Sequence, residues 1–500
     1  MTRTSQSHPL QIAQVRTGPG MGKVGMTFCP GKQQASAATG SWSRDLQLDV
    51  EAIAAWNAAA VITLVEDHEL QSLGVPALGD AVRSAHMVWH HLPIRDVSVP
   101  DDAFERAWLD VGAQLRAVVR DGFNVLIHCK GGLGRAGMIA ARLLIELGME
   151  AEKAVGSVRS VRPGAIETQA QLGYAMASQR VDDTAPDTSR AAIADRAVGA
   201  MLGLAIGDAL GTSLEFTARD SKPRVTDLTG GGPFRLEPGQ WTDDTAMALA
   251  LMDSLLADPH LDETDPMDRF VSWHEDGTYS CTGRCFDIGI TTRSALMRYK
   301  RTGDPAAGFT DPMSAGNGSL MRLAPVAICH WNDRERLRDV AVRQSRTTHA
   351  APQALDACVA YAEILVGAIA GRPRSEVMAP RMTDHDDAVA AILSGSWRGA
   401  SRDAIRSSGY VVHSLEAALW SVGRTGSFAD AVILAANLGE DADTVAAITG
   451  QLAGALYGAS AIPERWKTKL AWSERMAEAA QELSAETSAV VIRVRPKIGR

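Results

Sequence analysis

At 500 residues, with 46% apolar and 22% charged positions, the chain is long enough for two or three domains and too apolar to be disordered throughout. A net charge of −9 without a dense Lys/Arg run gives no basis for a nucleic-acid or anionic-membrane surface, so charged ligands must be held by local sites. Cys29, Cys129, Cys281, Cys285, Cys329 and Cys358 are too sparse for a disulfide framework, and Cys281 with Cys285 lacks the second Cys/His pair of a zinc centre.

Residues 1–28 carry Arg3, Arg16 and Lys23 but no apolar run of signal-peptide length, and no segment is expected to approach a bilayer span. The expectation is a soluble cytoplasmic protein. The Gly18–Lys23 stretch does not complete a Walker A loop, because Thr17 and Val24 stand at two of its required positions, and it predicts a simple loop. Strands are predicted at 61–65, 87–94 and 124–128, with a helix over about 102–120 between the last two. Such alternation predicts an α/β domain with a mainly parallel sheet. Helices follow at 138–147, closed by Gly148, and at 151–160 and 168–180. The polar, proline-containing run 181–190 predicts a linker between a domain at 1–180 and another at 191–485, with a tail at 486–500. The Ala/Leu-rich runs 191–206, 246–256, 290–298, 354–370 and 441–457, with few strand signals, predict an all-α second domain.

Ile127-His-Cys-Lys-Gly-Gly-Leu-Gly-Arg135 places a cysteine after an apolar strand, glycines in the following loop and an arginine where a helix begins. A loop of this kind turns the N–H groups of Lys130, Gly131, Gly132, Leu133, Gly134 and Arg135 toward a phosphate, and Arg135 adds bidentate hydrogen bonds. The same field favours a Cys129 thiolate for in-line attack on phosphorus. On these residues, and on Gly25-Met-Thr-Phe-Cys-Pro-Gly31, His90-His-Leu-Pro-Ile-Arg-Asp96, Pro100-Asp101 and Gly164-Ala-Ile-Glu-Thr168, residues 25–180 resemble the dual-specificity cysteine phosphatases, especially the kinase-associated phosphatases. The resemblance implies Cys129 as nucleophile, Asp96 as general acid and a phosphorylated substrate. Ala136 departs from the Ser or Thr usual after the loop arginine, which implies slow phosphoenzyme breakdown or a domain that chiefly binds phosphate.

Trp241-Thr-Asp-Asp-Thr245 and Gly439-Glu-Asp-Ala-Asp-Thr444 each set hydroxyl and carboxylate oxygens at a loop-to-helix junction. Thr242, Asp243, Asp244, Asp441, Asp443 and Thr444 form a hard-oxygen set suited to Mg²⁺ or Mn²⁺. Taken singly, each motif is better read as a helix N-cap, and it is their pairing that points to a metal site. Alongside lie Gly199–Gly211 followed by Glu215, the glycines Gly230, Gly231 and Gly232, the run Gly316-Asn317-Gly318-Ser319 with Arg322, and Thr348-His349. Across nearly all of 191–475 this order resembles the ADP-ribosylglycohydrolase family. The resemblance implies two Mg²⁺ or Mn²⁺ ions held by the six hard-oxygen residues, and a metal-linked or catalytic carboxylate at Glu215. It also implies an ADP-ribose pocket lined by Gly230–Gly232, Gly316–Ser319 and His349, and an ADP-ribosylated protein or small molecule as substrate. Water activation falls to Asp243 or Glu215, and His349 reads equally as a structural histidine. Two other readings stay open: a phosphate-binding recruitment module in the first domain, or a metal-dependent phosphohydrolase of a nucleotide metabolite in the second.

Overall fold

The computed structural model describes residues 2–37 and 40–485, so the tail expected over 486–500 lies outside the described residues. The chain divides into two compact units. One holds Met1–Thr184 with the segments Trp397–Ile405 and Trp420–Asp430, and the other holds Ala185–Ser396, Arg406–Leu419 and Ala431–Arg500.

The first unit runs β1 (Ala13–Arg16), β2 (Lys23–Phe28), β3 (Gln33–Ala37), β4 (Gly40–Ser43), α1 (Leu46–Ala55), β5 (Ala58–Thr63), α2 (Asp67–Ser72) and α3 (Leu78–Ser84). It continues with β6 (Val88–His91), α4 (Asp102–Arg120), β7 (Asn124–Cys129), α5 (Gly134–Glu146), α6 (Ala151–Val161) and α7 (Gln169–Met176). Five strands form one sheet in the order β1-β2-β7-β5-β6. The pairings of β7 with β2 and β5, and of β5 with β6, are parallel, while β1 pairs antiparallel with β2. The sheet is therefore mixed, and β1, β2, β3 and β4, all ahead of residue 44, are the strands that the sequence patterning misses. All six residues of β5 are buried, as expected for a strand covered on both faces. The Gly18–Lys23 stretch is the β1–β2 connection. Two distant segments complete this unit in a way that a single cut at 181–190 does not anticipate. Arg424 donates to Asn57 Oδ1 (2.8 Å) and Ala58 O (2.7 Å), and the Trp397 and Trp420 rings lie 6.3 and 6.5 Å from that of Phe123.

In the second unit the long elements are helical: α8 (Arg190–Gly211), α9 (Asp243–Ala257), α10 (Thr264–Asp276), α11 (Ile290–Thr302), α12 (Ala324–Cys329), α13 (Arg334–Arg346) and α14 (Pro352–Ile369). The short α15 (Arg374–Val377) and α16 (Asp387–Leu393) follow, then α17 (Val411–Arg424) and α18 (Phe428–Ala436), of which Trp420–Arg424 and Phe428–Asp430 belong to the first unit, and α19 (Ala442–Tyr457). Isolated bridges such as Phe309–His349 and Gly316–Tyr410 are the extended pairings among its described residues. Contrary to expectation, the helices Arg190–Leu214 and Pro352–Ile369 are long and apolar enough to cross a bilayer. The apolar windows of the two are 89% and 61% buried inside the protein, because their Gly, Ala and Leu side chains are used in helix packing.

The centre of this unit is the antiparallel pair α8 and α19. A Cβ at Gly207 would lie 2.1 Å from Ala446 O, one at Gly450 would lie 1.9 Å from Gly203 O, and one at Gly454 would lie 1.9 Å from Gly199 O. The two backbones touch over three turns, and only glycine permits it. The contact brings the carboxy-terminal end of α8 against the start of α19, where a Cβ at Gly211 would meet Ala442 O at 2.3 Å.

Gly450→Ala should therefore lower the melting temperature of this unit. The gain in helix propensity is at most about 1 kcal/mol, whereas forced overpacking costs about 1–3 kcal/mol or more. Gly156→Ala on α6, where a Cβ meets nothing within 4 Å, is the control and should be neutral or stabilising by calorimetry.

Candidate functional site

Two acids from the end of α8 organise the carboxylate motifs. Asp208 is fully buried, and its Oδ1 accepts from Thr242 N (2.9 Å) and Thr242 Oγ1 (3.0 Å). Its Oδ2 accepts from Thr245 N (3.1 Å) and Thr245 Oγ1 (2.6 Å). Glu215 Oε2 accepts from Ala442 N (2.8 Å) and Asp443 N (3.3 Å). The first N–H groups of α9 and α19 are thus satisfied from α8 and the turn after it, while Thr242 and Asp441 at the two N-cap positions make no capping bond of their own. The two helix starts therefore do not depend on Thr242 or Asp441 as caps, and of the motif acids Asp443 bonds a first-turn N–H, that of Thr444.

Those side chains converge. Asp244 Oδ2 accepts from Thr242 Oγ1 (3.4 Å) and Thr444 Oγ1 (3.3 Å), and Asp443 Oδ1 accepts from Thr444 N (2.7 Å). Asn317 Nδ2 donates to Asp441 Oδ2 at 2.5 Å and to Ser414 Oγ at 2.9 Å. Glu215, Asp441 and Asp443 each place one carboxylate oxygen within 4.8 Å of the others, a group able to hold a metal ion. Asp244 Oδ1 is buried with no protein partner. Burial first, then repulsion from Asp443, lifts the carboxyls of Asp208 and Asp441 to about 7, and burial with neighbouring acids raises Glu215, Asp243 and Asp244 as well. An oxygen-only donor set, an orphaned carboxylate oxygen and uncompensated negative charge all fit a hard divalent cation.

A cavity of about 670 Å³ opens on this cluster. Glu215, Asp243, Asp441, Asp443 and Thr444 line it, together with Gly316, Asn317, Gly318 and His349. Thr242, Asp244 and Ser319 lie buried outside its lining. Ser319 Oγ accepts from Ser345 Oγ at 2.8 Å. Gly230–Gly232 also lies outside, in a turn closed by the Gly231–Leu236 bridge with all three residues at positive φ. Sequence reading missed Asp208 as a distinct site residue, although it sits inside the Gly199–Gly211 run. It also missed Asp287, which lines the cavity and is lifted to about 11 by burial and by Asp243 and Asp443. Asp287 lies in a loop with φ +61, with no local pattern to mark it.

In the first unit, Cys129 ends β7 and Arg135 lies in the first turn of α5. The loop between them is built as the motif requires. Gly132 has φ +70, and a Cβ there would lie 2.5 Å from Thr27 O. Its N–H donates to Cys129 Sγ at 3.3 Å. The loop's carbonyls are tied away from its centre. Lys130 O accepts from Cys29 N and Lys32 Nζ, both at 3.4 Å, and Gly131 O and Gly132 O accept from Arg162 at 2.9 and 3.0 Å. Arg135 is buried in a two-bond pair with Glu69 (2.5 and 3.0 Å) and lies 2.9 Å from Asp96 Oδ1, so Asp96 stands beside the loop arginine. Leu133 is half-buried, and Gly134 N donates to Glu167 Oε2 at 2.8 Å, so one loop donor is held by an internal carboxylate. Ala136 is fully buried. Glu69, Arg162 and Glu167 act from other elements, and sequence spacing does not connect them to the loop.

Residues 189–490 match the family model of ADP-ribosylglycohydrolase, and residues 25–154 match that of cyclin-dependent kinase inhibitor 3. The chain belongs to the ADP-ribosylglycohydrolase family and is a hydrolase, with a phosphatase-like region ahead of the glycohydrolase region. It is 48% identical over 289 residues to the ADP-ribosylarginine hydrolase Tri1 of Serratia proteamaculans (strain 568), covering 58% of this chain and 79% of that one. It is 33% identical over 134 residues to the human cyclin-dependent kinase inhibitor 3, covering 26% of this chain and 62% of that one. A solved structure described as an ADP-ribosylglycohydrolase-related protein complex aligns with a TM-score of 0.53 at 43% identity, over 58% of this chain and 98% of that one.

The crowded acids give a pH signature. Asp208 and Asp441 hold protons more tightly folded, at about 7, than unfolded, at 3.8, so metal-free protein should lose stability as pH rises from about 4 to about 7. Added Mg²⁺ or Mn²⁺ should remove that loss at pH 7 and above, read as a metal-dependent rise in the melting temperature of the helical unit. A flat metal-free profile would contradict the crowding.

Proposed function

We propose that the helical unit hydrolyses the N-glycosidic bond between ADP-ribose and an arginine side chain of its target, and that the amino-terminal unit cleaves phosphomonoesters through Cys129. The observation that carries the first part is the convergence of Glu215, Asp243, Asp441 and Asp443 on one cavity that also presents Asn317 and His349. The arginine linkage rests on the name of the Serratia relative. Two Mg²⁺ or Mn²⁺ ions would be held by Thr242, Asp243, Asp244, Asp441, Asp443 and Thr444, with Glu215 beside them. Bound there, they supply the positive charge that orients ribose hydroxyls and supports an oxocarbenium-like transition state.

This chain's own residues account for the rest. Asp243 lines the cavity, and its carboxylate takes a proton from the attacking water. Glu215, with Oε2 committed to two backbone N–H groups, orients the site, which favours Asp243 over Glu215 as the base. The water oxygen bonds to C1 of the distal ribose, the bond from C1 to nitrogen breaks, and the departing guanidine keeps its nitrogen electrons and takes up a proton. On the cavity wall the Asp287 carboxyl offers the guanidinium a hydrogen-bond acceptor.

In the first unit the Cys129 thiolate attacks phosphorus, Arg135 and the loop N–H groups hold the phosphoryl oxygens, and Asp96 protonates the leaving oxygen. A second reading, that this unit binds phosphate to recruit substrate, is favoured by the missing hydroxyl at Ala136 and by the Glu167 carboxylate on Gly134 N.

Two variants test the division of labour. Cys129→Ser should abolish hydrolysis of an aryl phosphate while leaving ADP-ribose release within about twofold, and Asp443→Asn should do the reverse, lowering ADP-ribose release on the order of a hundredfold. Wild-type protein that binds inorganic phosphate but turns over no aryl phosphate would select the recruitment reading.

A further inference from the structure

His349 is held by its own backbone: its N donates to Ser345 O at 2.7 Å, and its O accepts from Ser345 Oγ at 2.8 Å. The imidazole lines the cavity and lies against a wall made of glycines. A Cβ at Gly318 would sit 2.7 Å from Cε1 and 3.1 Å from Nε2, and one at Gly316 would sit 3.2 Å from Nε2. On the far side of the ring, Nδ1 lies 2.9 Å from Thr348 Oγ1.

That hydroxyl has a second partner. Arg322, wholly buried, donates from Nη2 to Thr348 Oγ1 at 2.9 Å, and the same nitrogen reaches Gln344 O (2.8 Å) and Thr347 Oγ1 (3.1 Å). Its Nε donates to Gln344 Oε1 at 3.1 Å. Burial lowers this arginine only to about 9, so it is charged at neutral pH. A guanidinium has no acceptor, so at Thr348 it donates, and the threonine keeps its own hydrogen for another atom. Of the partners that the structure gives this oxygen, His349 Nδ1 is the one able to accept. Were Nδ1 protonated instead, the threonine oxygen would accept from both nitrogens and its own buried hydroxyl hydrogen would be left without an acceptor.

We propose that Arg322 and Thr348 are positioning residues that lock His349 in the tautomer with a bare Nδ1 and a protonated Nε2, making it a fixed hydrogen-bond donor toward an acceptor oxygen of the ADP-ribosyl ligand. Its neutrality has a separate support: burial, then the Arg322 charge, lowers its pKa to about 3. A neutral donor suits a cavity that already carries several carboxylates, because it orients an oxygen without competing with a cation for them. The tautomer stands on the hydrogen-bond geometry alone, whereas the identity of the ligand rests on the function proposed above.

The test uses the full chain labelled with ¹⁵N-histidine, with His349 assigned by its loss in His349→Gln and two-bond hydrogen–nitrogen correlations recorded at neutral pH. Wild type and Thr348→Ser should show the protonated-Nε2 pattern, and Thr348→Val should shift His349 toward the other tautomer. A protonated Nδ1 in wild type, or no change in Thr348→Val, would overturn the proposal. ADP-ribose binding by the same proteins gives the second arm. Thr348→Val should weaken it by roughly three- to tenfold, the size of one lost hydrogen bond, with Thr348→Ser near wild type and both folding normally by thermal unfolding. A tautomer shift without weaker binding would overturn the donor role. The predicted spectrum in a wild-type protein that binds no ADP-ribose would instead count against the proposed function and leave the tautomer standing.

Discussion

The helical unit depends on one contact, the backbone-to-backbone packing of α8 on α19. Gly199, Gly203 and Gly207 on one helix face Gly454, Gly450 and Ala446 on the other, at separations that a single added methyl group would break. The packing sets the end of α8 and the turn after it against the amino termini of α9 and α19. Asp208 and Glu215 there accept from the first N–H groups of those helices. With the helix starts satisfied largely in this way, Asp243, Asp244, Asp441 and Asp443 are held in a buried cluster. Burial and mutual repulsion raise the carboxyls of Asp243, Asp244 and Asp441, and a divalent cation is the group that would offset that crowding.

The phosphate loop follows the same logic with different parts. A strand end and a helix start fix Cys129 and Arg135, but the orientation of the peptides between them depends on outside donors. Cys29 N, Lys32 and Arg162 bind the loop's carbonyls, and Glu69 holds the arginine. Glu167, on Gly134 N, sets a negative charge at a donor that a phosphoryl group would use. The buried methyl at Ala136 lies next to the loop arginine.

Much of this was legible in the sequence, and the rest was not, for physical reasons. The loop from His128 to Arg135 and the two Thr-Asp motifs are local, since the residues proposed to carry the chemistry adjoin in the chain. The helix expected over about 102–120 is α4, because its amphipathic spacing and its Asp101 cap are local too. Residues brought in by tertiary packing were out of reach: Asp287 on a loop, Arg162 and Glu167 opposite the phosphate loop, and Asp208 as an acceptor for α9. Gly230–Gly232, expected to line the ADP-ribose pocket, form a tight turn at positive φ outside the cavity lining. The expectation that no segment approaches a bilayer span did not hold by length and composition at α8 and α14, whose apolar residues are mostly buried inside the protein.

The central claim is that the carboxylate cavity breaks a glycosidic bond and spares the diphosphate. Mass spectrometry of the products from an ADP-ribosylated arginine substrate, with Mg²⁺ and with Mn²⁺, tests it most directly. The account predicts intact ADP-ribose and unmodified arginine, whereas AMP with a ribose phosphate left on the arginine would contradict it.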